Sequence, residues 1–107
     1  MKSSKTCCGM TYIENTEIPS GSINDRIELE YYKIGKSKFN LLGKQSKKYG
    51  IEIQKREYKN DKFKIETNSV NYVTKSREKV IEIINTLKLH KVTPVGLNDV
   101  LEDLLKQ

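Results

Sequence analysis

The chain has 107 residues, a formal net charge of +6 and two cysteines, which is the size of one small domain. At about 1.5–3 kcal/mol per buried large apolar side chain, its core can offset chain entropy but leaves no room for a large buried cofactor. No run reaches the roughly eighteen apolar residues of a membrane span, and the opening residues lack the apolar h-region of a secretory signal, so a cytoplasmic protein without a cofactor or a membrane association is expected.

Residues 1–9, MKSSKTCCG, are small and polar and are expected to form a flexible tail ahead of a single domain over residues 10–107. Cys7 and Cys8 are adjacent, a geometry that strains any bridge between them. Structural zinc needs four ligands at loop spacings, whereas the one histidine, His90, lies more than eighty residues away. The two thiols therefore read as reduced and unremarkable, and no metal site is expected.

Met10 to Ile13 can open a strand, and Ile18-Pro19-Ser20-Gly21-Ser22 is a breaker cluster that places a loop at 15–25. From Arg26 to Ile34, Ile27, Leu29 and Tyr31 alternate with Glu28, Glu30 and Tyr32, the pattern of a half-buried strand. Gly35-Lys36-Ser37-Lys38 reads as a turn, Phe39 to Leu42 as a short strand, and 44–48 as a basic linker. In YGIEI, residues 49–53, Tyr49, Ile51 and Ile53 point one way and Gly50, Glu52 and Gln54 the other. Phe63 and Ile65 alternate similarly after the turn Lys59-Asn60-Asp61, so a β-hairpin is predicted.

The period changes near residue 75. Val80, Ile83, Ile84 and Leu87 recur at helical spacing, with Thr74 or Ser76 available as N-cap and Glu78 in the first turn. This helix fades around Leu89 to Lys91. Thr93 and Pro94 then signal a second start, and Leu97, Val100, Leu101, Leu104 and Leu105 line one apolar face. Strands first and helices after give an α+β domain: an antiparallel β-meander of about four strands followed by two C-terminal helices packed on one face.

The strand YGIEI at 49–53 and the ending VTPVGLNDVLEDLL at 92–105 resemble a family of small uncharacterised proteins from anaerobic Gram-positive bacteria. That family shares a YGIEI-like strand and a V-S/T-P-x-x-L-x-D-V ending. The likeness rests on Tyr49 to Ile53 and on Val92, Thr93, Pro94, Leu97, Asp99 and Val100, within roughly residues 26–105. It implies a domain boundary and transfers no activity.

The chemistry on offer points away from catalysis. Glu28, Glu30 and Glu52 sit opposite the apolar strand positions, where cross-strand pairing with lysine accounts for them. His90 falls at a helix end beside Lys88 and Lys91 and suits carbonyl capping. No phosphate loop, nucleophile elbow or zinc motif is present, so the chain is not expected to be an enzyme. Between Lys33 and Lys48, however, Lys33, Lys36, Lys38, Lys44, Lys47 and Lys48 meet no acidic residue.

Those six lysines either protect a sheet edge or bind a polyanion, with Tyr31, Tyr32, Phe39 and Tyr49 placed to stack single-stranded bases. A helix-turn-helix is excluded because the last helix carries Asp99, Glu102 and Asp103, which phosphates would repel. The leucine face Leu97, Val100, Leu101, Leu104, Leu105 either completes the domain's own core or docks a protein partner, including a second copy as a homodimer. The functional expectation is a non-catalytic protein-interaction or regulatory module, with nucleic-acid binding through residues 33–48 as the alternative.

Overall fold

Alternating apolar and polar residues do produce strands, and the strands run longer than the pattern predicts. The computed structural model describes residues 2–13, 26–59 and 62–106. Within them, β1 (Lys2–Ile13), β2 (Arg26–Phe39), β3 (Gln45–Lys59) and β4 (Lys62–Thr74) form one sheet, in the order β1-β2-β3-β4 and antiparallel throughout. The helices α1 (Arg77–Leu89) and α2 (Leu97–Leu105) follow, giving the expected α+β meander with two C-terminal helices. The predicted loop at 15–25 and the turn residues Asn60 and Asp61 lie outside the described residues.

Two local expectations are corrected. Residues 2–9 are not a loose tail but the first part of β1, with Lys2 to Cys7 paired to Ser37 to Tyr32 and a bulge between Cys7 and Gly9. Their polar side chains hid this, because backbone pairing with β2 needs no apolar face on an exposed edge strand. Likewise Gly35 to Lys38 is not a turn. β2 continues to Phe39, so the predicted linker at 44–48 is mostly the start of β3. The reversal belongs to Asn40, whose Oδ1 accepts hydrogen bonds from the backbone N–H groups of Leu42 and Lys44 at 2.9 and 3.0 Å. Gly43 follows with φ of +77°, a conformation that favours glycine.

The core lies between one sheet face and the helices. Leu29, Tyr31, Tyr49, Ile51 and Ile53 meet Val80, Ile83, Ile84 and Leu87 of α1 and Leu97 and Leu101 of α2. The register makes this face continuous, since Tyr31 sits opposite Ile53 and both are fully buried. Phe63 and Ile65 depart from expectation: they oppose Tyr58 and Arg56 on the far face and remain exposed. Gly50 is required by close approach, because a Cβ there would stand 2.3 Å from the Val70 carbonyl oxygen, where the β3–β4 register shifts.

Local signals set the helix ends. Ser76 caps α1, its Oγ accepting from the Lys79 N–H at 3.1 Å. At the far end the His90 N–H donates to the Thr86 carbonyl and the Val92 N–H to that of Leu87, around Lys91 at φ +52°. Thr93 and Pro94 begin a single 3-10 turn over Pro94–Gly96 that leads into α2. This connector is tied to the sheet twice. Tyr31 OH donates to the Val92 carbonyl at 2.8 Å, and the Asn68 amide to the Pro94 carbonyl at 3.0 Å.

The leucine face of α2 is therefore mostly spent inside the domain. Leu97 and Leu101 are core residues, Val100 and Leu104 pack against them, and Leu105 alone of the five is exposed. Of that face, Leu105 remains exposed and Val100 and Leu104 half-buried. Leu97→Ala is expected to cost about 2–5 kcal/mol of unfolding free energy, and Leu105→Ala no more than about 0.5, as read by urea denaturation.

Candidate functional site

The six lysines lie at the end of the sheet where β2 and β3 reach the Asn40 turn. Cross-strand pairing sets Lys36 opposite Lys48, Ser37 opposite Lys47, Lys38 opposite Ser46 and Lys33 opposite Ile51. Strand alternation then divides them. Lys33 and Lys47 share the face that carries the helices further along, Lys36, Lys38 and Lys48 share the opposite face, and Lys44 is exposed at the turn. Two like charges directly opposite each other, Lys36 and Lys48, oppose sheet formation at that point.

Each face of this ribbon borders a cleft. On the helix side a cavity of about 540 Å³ is lined by Lys33, Lys47, Ser4, Gly35, Tyr49 and Arg77. On the other side one of about 280 Å³ is lined by Lys36, Lys38, Lys48, Asn71 and Tyr72. Among the described residues no carboxylate lines either. The Lys48 ammonium lies 5.4 Å from the centroid of the Tyr72 ring, and the Lys33 ammonium 6.0 Å from that of Tyr49, within range of a cation–π attraction. Among the described residues none of the six lysines is paired with a carboxylate.

Of the aromatics expected to stack bases, Tyr31 is wholly buried and Tyr49 nearly so, while Phe39 is exposed. Tyr32 belongs to a different site. Arg77 and Tyr72 were not singled out from the sequence, because nothing local marks them as neighbours of the lysines. They arrive there because β4 shifts register after Val70 and the chain then turns into α1.

The face away from the helices carries a second constellation nearer the opposite end of the sheet. Glu28 and Glu30 are buried although none of the described elements covers them. Glu30 accepts from Arg56 Nη1 at 2.6 Å and makes a short hydrogen bond with Tyr32 OH. Glu28 accepts from Arg26 Nε at 3.2 Å and from Tyr58 OH at 3.4 Å. Lys5 reaches Glu52 at 2.6 Å and lies 4.5 Å from the centroid of the Tyr32 ring. Around this network Met10, Tyr12, Phe63 and Ile65 are exposed.

The remaining candidates are dispersed. His90 is exposed at the end of α1. Cys7 is exposed on the open face opposite Tyr32, whereas Cys8 is half-buried against the core. Among the described residues no three His, Cys, Asp or Glu side chains gather as metal ligands, and no helix is long and apolar enough to cross a membrane.

A family model described as a family of unknown function (DUF6514) matches residues 10–107, which takes in the whole of the stretch 26–105 on which the sequence resemblance rests. No curated protein and no solved structure matches the chain.

The tyrosine network predicts a pH dependence. The hydrogen bond to Glu30, then burial, pushes the Tyr32 hydroxyl from its ordinary 10.0 up to about 12. The folded state thus holds a proton that the unfolded chain releases, so this contribution is complete below pH 10 and disappears as pH rises from 10 towards 12. Melting temperature should fall more gently over that window in Tyr32→Phe than in the parent. Comparing the two isolates the contribution of the Tyr32 hydroxyl.

Proposed function

Since the chain belongs to the DUF6514 family, whose description carries no activity, we propose from its geometry that it is a non-catalytic binding module for polyanions, nucleic acid foremost. The observation that carries this reading is the segregation of charge. Away from the ribbon, Lys5, Arg26, Lys55, Arg56 and Lys64 each have a carboxylate partner, and cations without one among the described residues, such as Lys75, Lys79 and Lys88, are not gathered into a run of six. On the ribbon, Lys33, Lys36, Lys38, Lys44, Lys47 and Lys48 have none among the described residues. Cations gathered without counter-charges attract phosphates and release condensed counterions on binding.

Binding rather than catalysis also suits the acidic groups. Glu28, Glu30 and Glu52 are held by arginine, lysine or tyrosine, which leaves them poorly placed as general bases. A cytoplasmic setting suits the two free thiols.

A second reading is an unknown protein partner, or a second copy of this chain, on the open sheet face. It is favoured by the exposed Met10, Tyr12, Phe63 and Ile65, which flank a buried charged network. A complex that withstands high salt and nuclease and is lost in Met10→Asp/Ile65→Asp would support this second reading.

Polyanion binding is tested by fluorescence anisotropy with a single-stranded oligonucleotide over a salt series. Lys36→Glu/Lys38→Glu/Lys47→Glu/Lys48→Glu should weaken binding by about a hundredfold or more and flatten the slope of log K against log salt. An unchanged slope in that variant would overturn the reading.

A further inference from the structure

We propose that the cleft on the helix side of the ribbon is a pocket for a phosphate monoester, and that it is chemically distinct from the smaller cleft lined by Lys36, Lys38 and Lys48 on the other side. This rests on the polyanion reading for its location but assigns a separate ligand class to one face. Three elements deliver cations to it: Lys33 from β2, Lys47 from β3 and Arg77 from the first position of α1. A compact dianion is the group that matches several cations converging on one concavity. A diester phosphate in a chain carries a single charge and is met well enough by lysines spaced along a surface.

The walls fit that ligand. Arg77 offers a planar fork suited to two phosphate oxygens, and it stands where the dipole of the 13-residue α1 adds positive potential. Ser4 brings a hydroxyl from β1. Gly35 keeps the floor open: a Cβ there would lie 3.0 Å from Ser4 Oγ and 3.9 Å from the Tyr49 ring, so any side chain intrudes on the space between them. A volume of about 540 Å³ falls within the range of small-molecule sites. The pocket therefore admits more than a bare phosphate, with Tyr49 as an apolar wall for the sugar or carbon skeleton that bears it.

The monoester has two sources, the phosphorylated end of a nucleic-acid strand or a small phosphorylated metabolite, and the experiment separates them. Binding of 3′-labelled oligonucleotides carrying either a 5′-phosphate or a 5′-hydroxyl is measured by anisotropy. Ribose 5-phosphate is titrated alone by calorimetry. If the strand end is the ligand, the 5′-phosphate tightens binding by about tenfold or more. Arg77→Gln and Gly35→Val then abolish that difference without altering affinity for the 5′-hydroxyl strand, while Lys38→Glu/Lys48→Glu weakens both strands equally.

If a metabolite is the ligand, ribose 5-phosphate binds saturably, and binding is lost in Arg77→Gln and in Gly35→Val, which removes space but no charge. Circular dichroism confirms that each variant is folded. Equal affinity for the two strands together with no ribose 5-phosphate binding overturns the pocket while leaving the polyanion reading standing. Failure of both strands to bind, with ribose 5-phosphate still bound in an Arg77-dependent way, overturns the polyanion reading and keeps the pocket.

Discussion

A mismatch of lengths governs this fold. Strands of 12 to 15 residues extend to roughly 40–50 Å at about 3.3 Å per residue, whereas the 13 residues of α1 span only about 20 Å. Two short helices therefore cover the middle of one sheet face and nothing else, inside an outline of 58 × 30 × 17 Å. The apolar residues gather where the helices lie, at Leu29, Tyr31, Ile51 and Ile53. The tie from Tyr31 OH to the Val92 carbonyl matters for the same reason: it fixes the connector that carries Leu97 onto the sheet. The bare ribbon and the open face are what the helices do not reach.

An uncovered sheet face must remain compatible with water, and this one does so by mixing long amphipathic side chains with paired charges. Glu28 and Glu30 are only 8% exposed, and among the described residues it is tyrosines and arginines that lie against them. Tyr58 stacks loosely on Phe63 at 5.9 Å between centroids and accepts Arg26 against its ring at 4.7 Å. Exposed ion pairs contribute little on their own, but here Arg56 also satisfies a carboxylate that has lost most of its water. The pairing keeps a polar group on the face from becoming a buried unpaired charge.

How much of this was legible depended on whether a signal was local. YGIEI announces its buried face by alternation, and Val80, Ile83, Ile84 and Leu87 announce theirs by spacing, because each pattern is written within one element. The Ser76 cap and the Pro94 start are local too. The strand at residues 2–9 was not legible, since an edge strand of polar residues is specified by its partner β2 and not by its own composition. Gly35 misled for a related reason: within an extended strand it signals room for a neighbour, here Ser4, and not a reversal. The lysines could be singled out as a run, but their division between two faces, and the arrival of Arg77 beside Lys33 and Lys47, depend on register and on the path of β4, which no short window contains.

The cationic end is hard to explain by stability alone. An exposed ribbon needs some charge to discourage pairing with other chains, but that is achieved by a lysine on an outer edge. Here Lys36 and Lys48 face each other across two inner strands, where like charges weaken the pairing they sit on, and among the described residues the acidic ones that relieve such repulsion near the other end of the sheet are missing from both clefts. Helix coverage does not force the arrangement either, because serine or threonine would serve on a solvated strand equally well. A phosphate between the two ammonium groups would turn their repulsion into a favourable interaction. On the proposed binding reading, the local cost to the sheet is recovered when the ligand binds.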